Sequence, residues 1–140
     1  KRFKEAGIRR YKSFEADLAV PAKKSPVTFE NGSFDLIIAD VPCTGSGTWG
    51  RTPEQLFYFD KNKIVEYAAK QKKIVANVIH TLKPRAYLVY ITCSVFKKEN
   101  EEVVDFILDE GLVLAKKELL KGYDKKADTL FVALFKKSIS

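Results

Sequence analysis

The fold is decided by residues 34 to 51, FDLIIADVPCTGSGTWGR. The stretch opens with an apolar run rich in β-branched residues, which predicts a buried strand of a parallel sheet over about 34–39. Pro42 has no N–H to offer a neighbouring strand, so the strand must stop after Val41. Cys43 and a glycine-rich turn follow. Because open α/β sheets bind ligands beyond the carboxyl ends of their strands, we expect functional residues on this loop.

Length and composition indicate one modest globular domain. The chain has 140 residues, 46% apolar and 31% charged, which suffices for one core but not for two domains. No apolar run approaches membrane-spanning length and no leader resembles a signal peptide, so we expect a cytoplasmic protein. Residues 1–7 have the pattern of a helix end that leaves at Gly7, with no initiator methionine before it. We therefore expect the chain to begin inside a larger protein.

The charge balance favours a polyanionic partner. There are 25 Lys and Arg residues against 18 Asp and Glu, a net charge of +7, and the sequence pI is about 9.3. This balance favours nucleic acid, although lysines on amphipathic helices can equally form a solvated face. Two cysteines and one histidine are too few for a structural zinc site or a disulfide framework, so we expect no metal.

The rest of the chain predicts alternating strands and helices. The helix-start signal Thr52-Pro53 opens a long segment with apolar residues at helical spacing, and Lys83-Pro84 ends it because proline disfavours helical geometry in the residue before it. A second apolar run ends in the polar tip Thr92-Cys93-Ser94. The predicted elements are a strand at 8–14 with Asp17 near its end, a loop at 19–32, helices at 52–82 and from after 100 to Gly111, and strands at 86–91, 112–119 and 129–137.

This order predicts an α/β fold, part of a doubly wound sheet that is mostly parallel with an antiparallel C-terminal strand pair. If the strands before Cys43 and Cys93 are neighbours joined by a right-handed crossover, both thiols lie at one sheet edge and can face one cavity. A single cysteine is more often an inert core residue. Two thiols at strand tips favour chemistry, because a thiolate adds to electrophilic carbon and leaves again. Asp40 could bond to a ring nitrogen of a substrate or cap amides of its own loop.

The glycines of the turn match a second pattern. Gly45, Gly47 and Gly50 fit the G-x-G-x-x-G fingerprint of dinucleotide-binding proteins and follow a strand. However, the predicted helix starts late, at Thr52-Pro53, and the next strand tip carries no acid. We interpret the match as coincidence. A dinucleotide-dependent enzyme would require nicotinamide or flavin binding at this turn.

Two motifs resemble those of a known family. DVPCTGSGTWGRTPE, residues 40–54, resembles the D-x-P-C-S/T-G motif of the RNA 5-methylcytosine methyltransferases. Leu82-Lys83-Pro84 and LVYITCS, residues 88–94, followed by Glu99-Asn100-Glu101, resemble that family's second cysteine motif. Order and separation agree, over about residues 34–108. The resemblance implies a Rossmann-like methyltransferase sheet, the cofactor S-adenosylmethionine, and methylation of cytosine carbon 5 in RNA, with ribosomal RNA as the expected substrate.

The resemblance also implies roles for single residues. Cys93 adds to carbon 6 of a cytosine, which makes carbon 5 nucleophilic enough to take a methyl group, and Cys43 assists breakdown of the covalent adduct. DNA cytosine methyltransferases instead use a Pro-Cys cysteine as nucleophile, so this division of roles rests on family likeness. Asp40 is expected to contact the base or the methionine end of the cofactor. Pro42 is expected in the same cofactor site, and Asp17 at the adenine.

Contacts with RNA are expected around the same loops. The target base must leave its stack or be presented in a single strand. Trp49 could stack on a base and Arg51 could pair with a phosphate, and Lys97 is a third candidate. The alternatives stay open: Trp49 can pack the loop, Arg51 can be solvated or bonded to nearby carbonyls, and Lys97 is similarly ambiguous.

Two departures from the family pattern matter. Pro84-Arg85-Ala86 stands where the family usually has Pro-Gly-Gly, and we expect a tolerated change of turn. The glycine-rich loop after the first strand of the family's sheet, and the acid that holds the ribose, are absent and are expected before Lys1. The chain would then hold at most half a cofactor site and be inactive alone. The alternative hypothesis is a catalytically incomplete fragment that binds nucleic acid. An exposed edge of the 34–39 strand is expected to make it self-associate.

Overall fold

The computed structural model describes residues 2–21 and 29–139. Within these residues, a four-stranded sheet packs its two longer helices, at 62–79 and 101–109, against one face. The helices are α1 (Arg2–Glu5), α2 (Glu54–Phe57), α3 (Asn62–Ile79) and α4 (Glu101–Asp109), and the strands are β1 (Phe34–Asp40), β2 (Leu82–Thr92), β3 (Leu112–Leu120) and β4 (Leu130–Lys137). No helix in this part of the chain is long and apolar enough to cross a membrane.

The strand order in the sheet is β1-β2-β4-β3. β1 and β2 pair in parallel, whereas β4 runs antiparallel to both β2 and β3. The predicted α/β class and the antiparallel C-terminal pair are confirmed. β1, β2 and β3 run in one direction, yet only the β1–β2 pairing is parallel among the described strands, because β4 inserts between β2 and β3. The expected mostly parallel sheet therefore holds for strand direction and not for pairing.

The prediction of a strand at 8–14 is wrong. Residues 8–17 form neither helix nor strand, and Tyr11 and Phe14 are exposed. A strand needs a partner that completes its backbone hydrogen bonds, and no described strand lies beside this segment. The helix end before it was predicted correctly, because α1 gives way at Gly7, which has φ 74. Half of the loop predicted at 19–32, residues 22–28, lies outside the described residues.

The helix predicted at 52–82 is divided and ends early. α2 and α3 are separate helices, and α3 ends at Ile79 rather than before Pro84. Lys137 Nζ donates to the carbonyl of Ile79 at 3.3 Å and to that of Leu82 at 2.8 Å. A cation at a helix C-terminus satisfies carbonyls that have no partner within the helix. The end of α3 is therefore fixed by Lys137, which is far away in sequence. Pro84 does not end the helix and lies instead inside β2.

The start of β2 contains a bulge that accommodates this proline. Phe34 pairs with Leu82 and Leu36 with Tyr87, so the paired positions are two residues apart on β1 but five apart on β2. A bulge is a place where an internal strand tolerates proline. Arg85, inside the bulge, has φ 67, in the left-handed region that favours glycine. This conformation explains why glycine is the usual residue of the family here, and the turn forms with arginine all the same.

The core lies between the helices and one face of the sheet. Each fully buried apolar side chain stabilises the fold by about 2 kcal/mol. Such side chains include Val75, Leu88, Tyr90, Ile107 and Phe135. On the other face, Leu36 and Ile38 of β1 are 51% and 62% exposed. The prediction that β1 is buried on both faces is therefore wrong within the described residues, where it is an edge strand with one face uncovered.

Candidate active site

The two cysteines follow the carboxyl ends of neighbouring parallel strands. β1 ends at Asp40 and β2 at Thr92, and each strand passes into a loop that carries a thiol. The Sγ atoms of Cys43 and Cys93 are 3.3 Å apart, and both side chains are half-buried. The structure thus brings together two predicted catalytic residues that lie 50 positions apart in sequence.

The surroundings of Cys43 keep its proton in place. Burial raises the pKa of the Cys43 thiol to about 12, and the hydrogen bond with Cys93 acts in the same direction. At neutral pH, Cys43 is therefore a neutral S–H that can donate to the sulfur of Cys93. A thiol that holds its proton is a poor nucleophile. The raised pKa therefore argues against Cys43 as the nucleophile, and the nucleophilic role of Cys93 stays a prediction.

A buried carboxylate joins the two cysteine loops. Glu99 is fully buried. Its Oε1 accepts hydrogen bonds from the N–H of Thr44 at 2.9 Å and from Gln71 Nε2 at 3.2 Å. Its Oε2 accepts from the hydroxyls of Thr44 and Ser94, both at 2.6 Å. Because Thr44 follows Cys43 and Ser94 follows Cys93, one carboxylate is bonded to the residue after each thiol.

Further buried polar groups fix the loop of Cys93. Asn100 Oδ1 accepts from the hydroxyl of Thr92 at 2.6 Å, and Asn100 Nδ2 donates to the carbonyl of Ser94 at 2.8 Å. The residues on both sides of the thiol are therefore held by one side chain. The hydroxyl of Ser46, from the other loop, lies 3.3 Å from that of Ser94. Satisfied polar networks of this kind rigidify a site.

The glycine-rich turn packs closely against the loop of Cys93. The N–H of Gly47 donates to the carbonyl of Cys93 at 2.8 Å, and the N–H of Thr129 donates to the carbonyl of Gly47 at 2.9 Å. A Cβ on Gly47 would overlap the carbonyl oxygen of Thr129 and lie 2.9 Å from that of Cys93. Gly45 has φ 72, whereas Gly50 is surrounded by open space. The three glycines thus have different local roles, and Gly47 brings the two loops together.

The predicted cofactor residues surround one cavity. Asp17, Asp40 and Pro42 line a space of about 320 Å³ at the carboxyl end of β1. Asp40 is exposed at the last position of the strand. One carboxylate oxygen of Asp17 accepts from the N–H of Ala19 at 2.9 Å, which orients the side chain. All three predicted cofactor residues therefore border the same cavity.

Trp49 packs against two phenylalanine rings from neighbouring segments. Its indole is half-buried and meets the rings of Phe59 and Phe96 edge to face, with centroids 4.9 and 5.9 Å apart. Phe59 and Phe96 in turn stack on each other at 5.5 Å. These contacts match the packing alternative, and base stacking by Trp49 stays a prediction.

The two basic candidates for RNA contact are at the surface. Arg51 donates to both carboxylate oxygens of Asp128, at 3.2 and 2.8 Å. These hydrogen bonds lower the pKa of the Asp128 carboxyl. Lys97 is exposed. Phosphate contact by either residue stays a prediction.

Sequence reasoning did not assign a role to Glu99 or Gln71. Glu99 stands in the quoted motif, but a carboxylate just before a helix usually faces water. Its burial depends on two loops that meet only in the folded chain. Gln71 did leave a signal, because it falls on the apolar stripe of α3 between Ala68 and Val75, where a polar residue indicates a buried hydrogen bond.

Solved structures share this fold. The chain superposes on the crystal structure of PH0851 with a TM-score of 0.71 and 29% identity, over 76% of this chain and 27% of that one. A methyltransferase homolog protein from Pyrococcus horikoshii gives a TM-score of 0.60 and 26% identity, over 76% of this chain and 40% of that one. The fold is therefore that of the Rossmann-like methyltransferases.

The family follows from the sequence. The profile described as 16S rRNA methyltransferase RsmB/F matches residues 4–134. The chain belongs to this family, and the resemblance found in its motifs is confirmed. Ribosomal RNA small subunit methyltransferase F of Shewanella loihica is 38% identical over 71 residues, which make up 51% of this chain and 15% of that protein. The chain spans about 15% of the length of the first curated relatives it matches.

Proposed function

We propose that this chain is the C-terminal portion of the catalytic domain of an S-adenosylmethionine-dependent methyltransferase that acts on carbon 5 of a cytosine in ribosomal RNA. The observation that carries the proposal is the 3.3 Å contact between Cys43 and Cys93 at the ends of adjacent parallel strands. In a member of this family, such a pair supports covalent catalysis by one thiol with the help of the other. A cytoplasmic location belongs to the proposal, because thiols stay reduced there.

The chemistry proceeds through a covalent adduct. The Cys93 thiolate adds to carbon 6 of cytosine, and the electron pair of the 5,6 double bond becomes available at carbon 5 to take the methyl group. Transfer of the proton on carbon 5 to solvent water then restores the 5,6 double bond and expels the sulfur of Cys93 as a thiolate. Cys43, whose pKa burial raises to about 12, holds its S–H beside that sulfur. It stabilises the negative charge that develops as the carbon–sulfur bond breaks.

The cavity beside β1 fits part of a cofactor site. S-adenosylmethionine, when bound, supplies the methyl group. The Asp17 carboxylate can accept a hydrogen bond from the adenine amino group, while Asp40 and Pro42 form the wall nearer the thiols. Its volume of about 320 Å³ is at the lower end of the range for ligand pockets, which starts at roughly 300 Å³. A partial site completed by another portion of the protein accounts for that volume.

RNA reaches the thiols across a basic surface. The net charge of +7 supports binding to phosphates. Arg51 is 67% exposed, and its ion pair with Asp128 is of the surface kind that contributes little to stability, so a phosphate can replace that carboxylate. Lys97 offers a second cation and Trp49 a ring beside the same loops.

One experiment separates the roles of thiol and cofactor residue. In the full-length protein, Cys93→Ala is expected to reduce methyl transfer from S-adenosylmethionine to ribosomal RNA by at least about 10³-fold, because no nucleophile remains. Asp17→Ala should instead raise the KM for S-adenosylmethionine and leave adduct formation possible. Transfer of labelled methyl groups into 5-methylcytosine measures both effects. Wild-type transfer by the Cys93 variant would contradict the proposal.

The free edge of β1 supports the view that the chain is one portion of a domain. Among the described strands, this edge of β1 has no partner, and together with the exposed Leu36 and Ile38 it forms a template for another strand. We expect the isolated chain to self-associate through this edge. Light scattering should then give a mass above the monomer, and Ile38→Lys should reduce it because edge charges oppose pairing. A wild-type monomer at all concentrations would rule out this association.

A further inference from the structure

The Glu99 carboxylate makes the shortest hydrogen bonds to the residue after each cysteine, at 2.9 and 2.6 Å to Thr44 and 2.6 Å to Ser94, whereas the hydroxyl of Ser46 meets the same two residues at 3.5 and 3.3 Å. We propose that Glu99 is a positioning residue: its carboxylate sets the separation of the Cys43 and Cys93 thiols by holding Thr44 and Ser94. The positioning of the two thiols by Glu99 can be tested without assuming a function. Only the effect of this positioning on catalysis rests on the proposed function.

The chemistry of the four donors fits a carboxylate. The N–H of Thr44 and the Nε2 of Gln71 can only donate, and both point at Oε1. The hydroxyls of Thr44 and Ser94 occupy Oε2. An ionised carboxylate has about four acceptor positions and no donor, so it matches this set. A glutamine could meet the two N–H donors with its oxygen and offer its NH₂ group to the two hydroxyls, which can also accept, whereas an alanine leaves all four groups without this partner.

The surroundings show that the network is arranged around the carboxylate. Glu99 is fully buried, and no Lys or Arg in the described ranges forms an ion pair with it. Gln71 donates to Glu99 and to the carbonyl of Pro42 at 2.9 Å, which leaves its own Oε1 without a partner. Burying a charge and an unpaired amide oxygen is costly, and apolar residues are often more stable in such places. Stability alone therefore does not account for this arrangement.

The hydrogen bonds act at the positions that control the thiols. Thr44 and Ser94 each directly follow a cysteine in the sequence, so a shift of either residue moves the Sγ atom of that cysteine. Glu99 holds Thr44 through its N–H as well as its hydroxyl, which restrains the backbone itself. Loss of the carboxylate removes one restraint from both loops at once, and the thiols then meet less often.

Disulfide formation in this chain measures how often the thiols meet. Diamide takes two hydrogens from the two thiols and is reduced to a hydrazine while a sulfur–sulfur bond forms, and mass spectrometry detects the loss of both hydrogens. We expect wild type to react fast, because the two sulfur atoms are already in contact at 3.3 Å. Glu99→Ala should slow the reaction at least about tenfold. Glu102→Ala, the same change on a partly exposed residue of α4, should leave the rate unchanged.

A second variant covers the case in which Glu99→Ala does not fold. Thr44→Val removes the 2.6 Å hydroxyl bond to Oε2 and keeps the N–H, so it should slow the reaction severalfold. In the double variant it should add little further, since only the longer contacts of this hydroxyl with Ser46 and Ser94, at 3.5 and 3.4 Å, remain to be lost. Unchanged rates in folded variants would overturn the positioning role.

Activity separates this inference from the proposed function. In the full-length protein, Glu99→Ala should lower kcat and leave the KM for S-adenosylmethionine unchanged. A slowed disulfide in the variant, together with no 5-methylcytosine formed by wild type, would refute the function and keep the positioning role. An unchanged kcat and disulfide rate would refute the positioning role and keep the function.

Discussion

Replacement of Cys43 by alanine in the full-length protein is expected to leave the protein covalently attached to its RNA. Cys93 can still add to carbon 6 of the cytosine, and carbon 5 can still take the methyl group. Release is impaired because no S–H remains 3.3 Å from the departing sulfur. Loss of one acid–base group of this kind slows a step by about 10²- to 10⁴-fold. On a denaturing gel, a slower band that ribonuclease removes should therefore accumulate.

The adduct has a matched control in the second thiol. Cys93→Ala, and the variant that lacks both thiols, should give no such band, since no nucleophile is present. Cys43→Ser tests whether a hydroxyl can replace the thiol as the donor, and partial release is expected. The proposed division of roles would be wrong if the band appeared with Cys93→Ala and not with Cys43→Ala.

The arrangement of the two thiols could be predicted because its determinants are local. An apolar run that meets Pro42 must end as a strand, and the second run ends in the same way before Cys93. Two such strands, joined by a helix of the length of α3, become parallel neighbours with their tips at one edge. The observed pairing of β1 with β2 follows this rule.

Other features could not be predicted, because they depend on partners that are distant in sequence. Arg51 meets Asp128 across 77 residues, and Lys137 ends α3 from the last strand. The apolar residues of 8–14 suggested a strand, but backbone groups need a neighbouring ladder that the described sheet does not provide there. The burial of Glu99 also depends on distant partners. Its four hydrogen-bond donors come from three separate segments, and no pattern in the sequence predicts that these segments meet.

The turn between the thiols should be the most sensitive backbone position of the site. Gly47→Ala would place a Cβ against the carbonyl oxygen of Thr129 and 2.9 Å from that of Cys93. Backbone atoms cannot rotate away as a side chain can, so Gly47 must move away from Thr129 and Cys93. Its hydrogen bonds to these two residues must then weaken. Overpacking of this kind costs about 3 kcal/mol, which should lower Tm by roughly 10 °C in a chain of this size.

Gly50→Ala is the matched control for this prediction. Gly50 lies in the same turn, its φ is not in the left-handed region, and nothing stands within 4 Å of an added Cβ. The same methyl group should therefore change stability by no more than about 0.5 kcal/mol. If thermal unfolding showed equal losses for both variants, the effect would belong to glycine in general and not to the close approach of the loops. A loss confined to Gly47→Ala, accompanied by slower disulfide formation between Cys43 and Cys93, would instead tie that approach to the placement of the thiols.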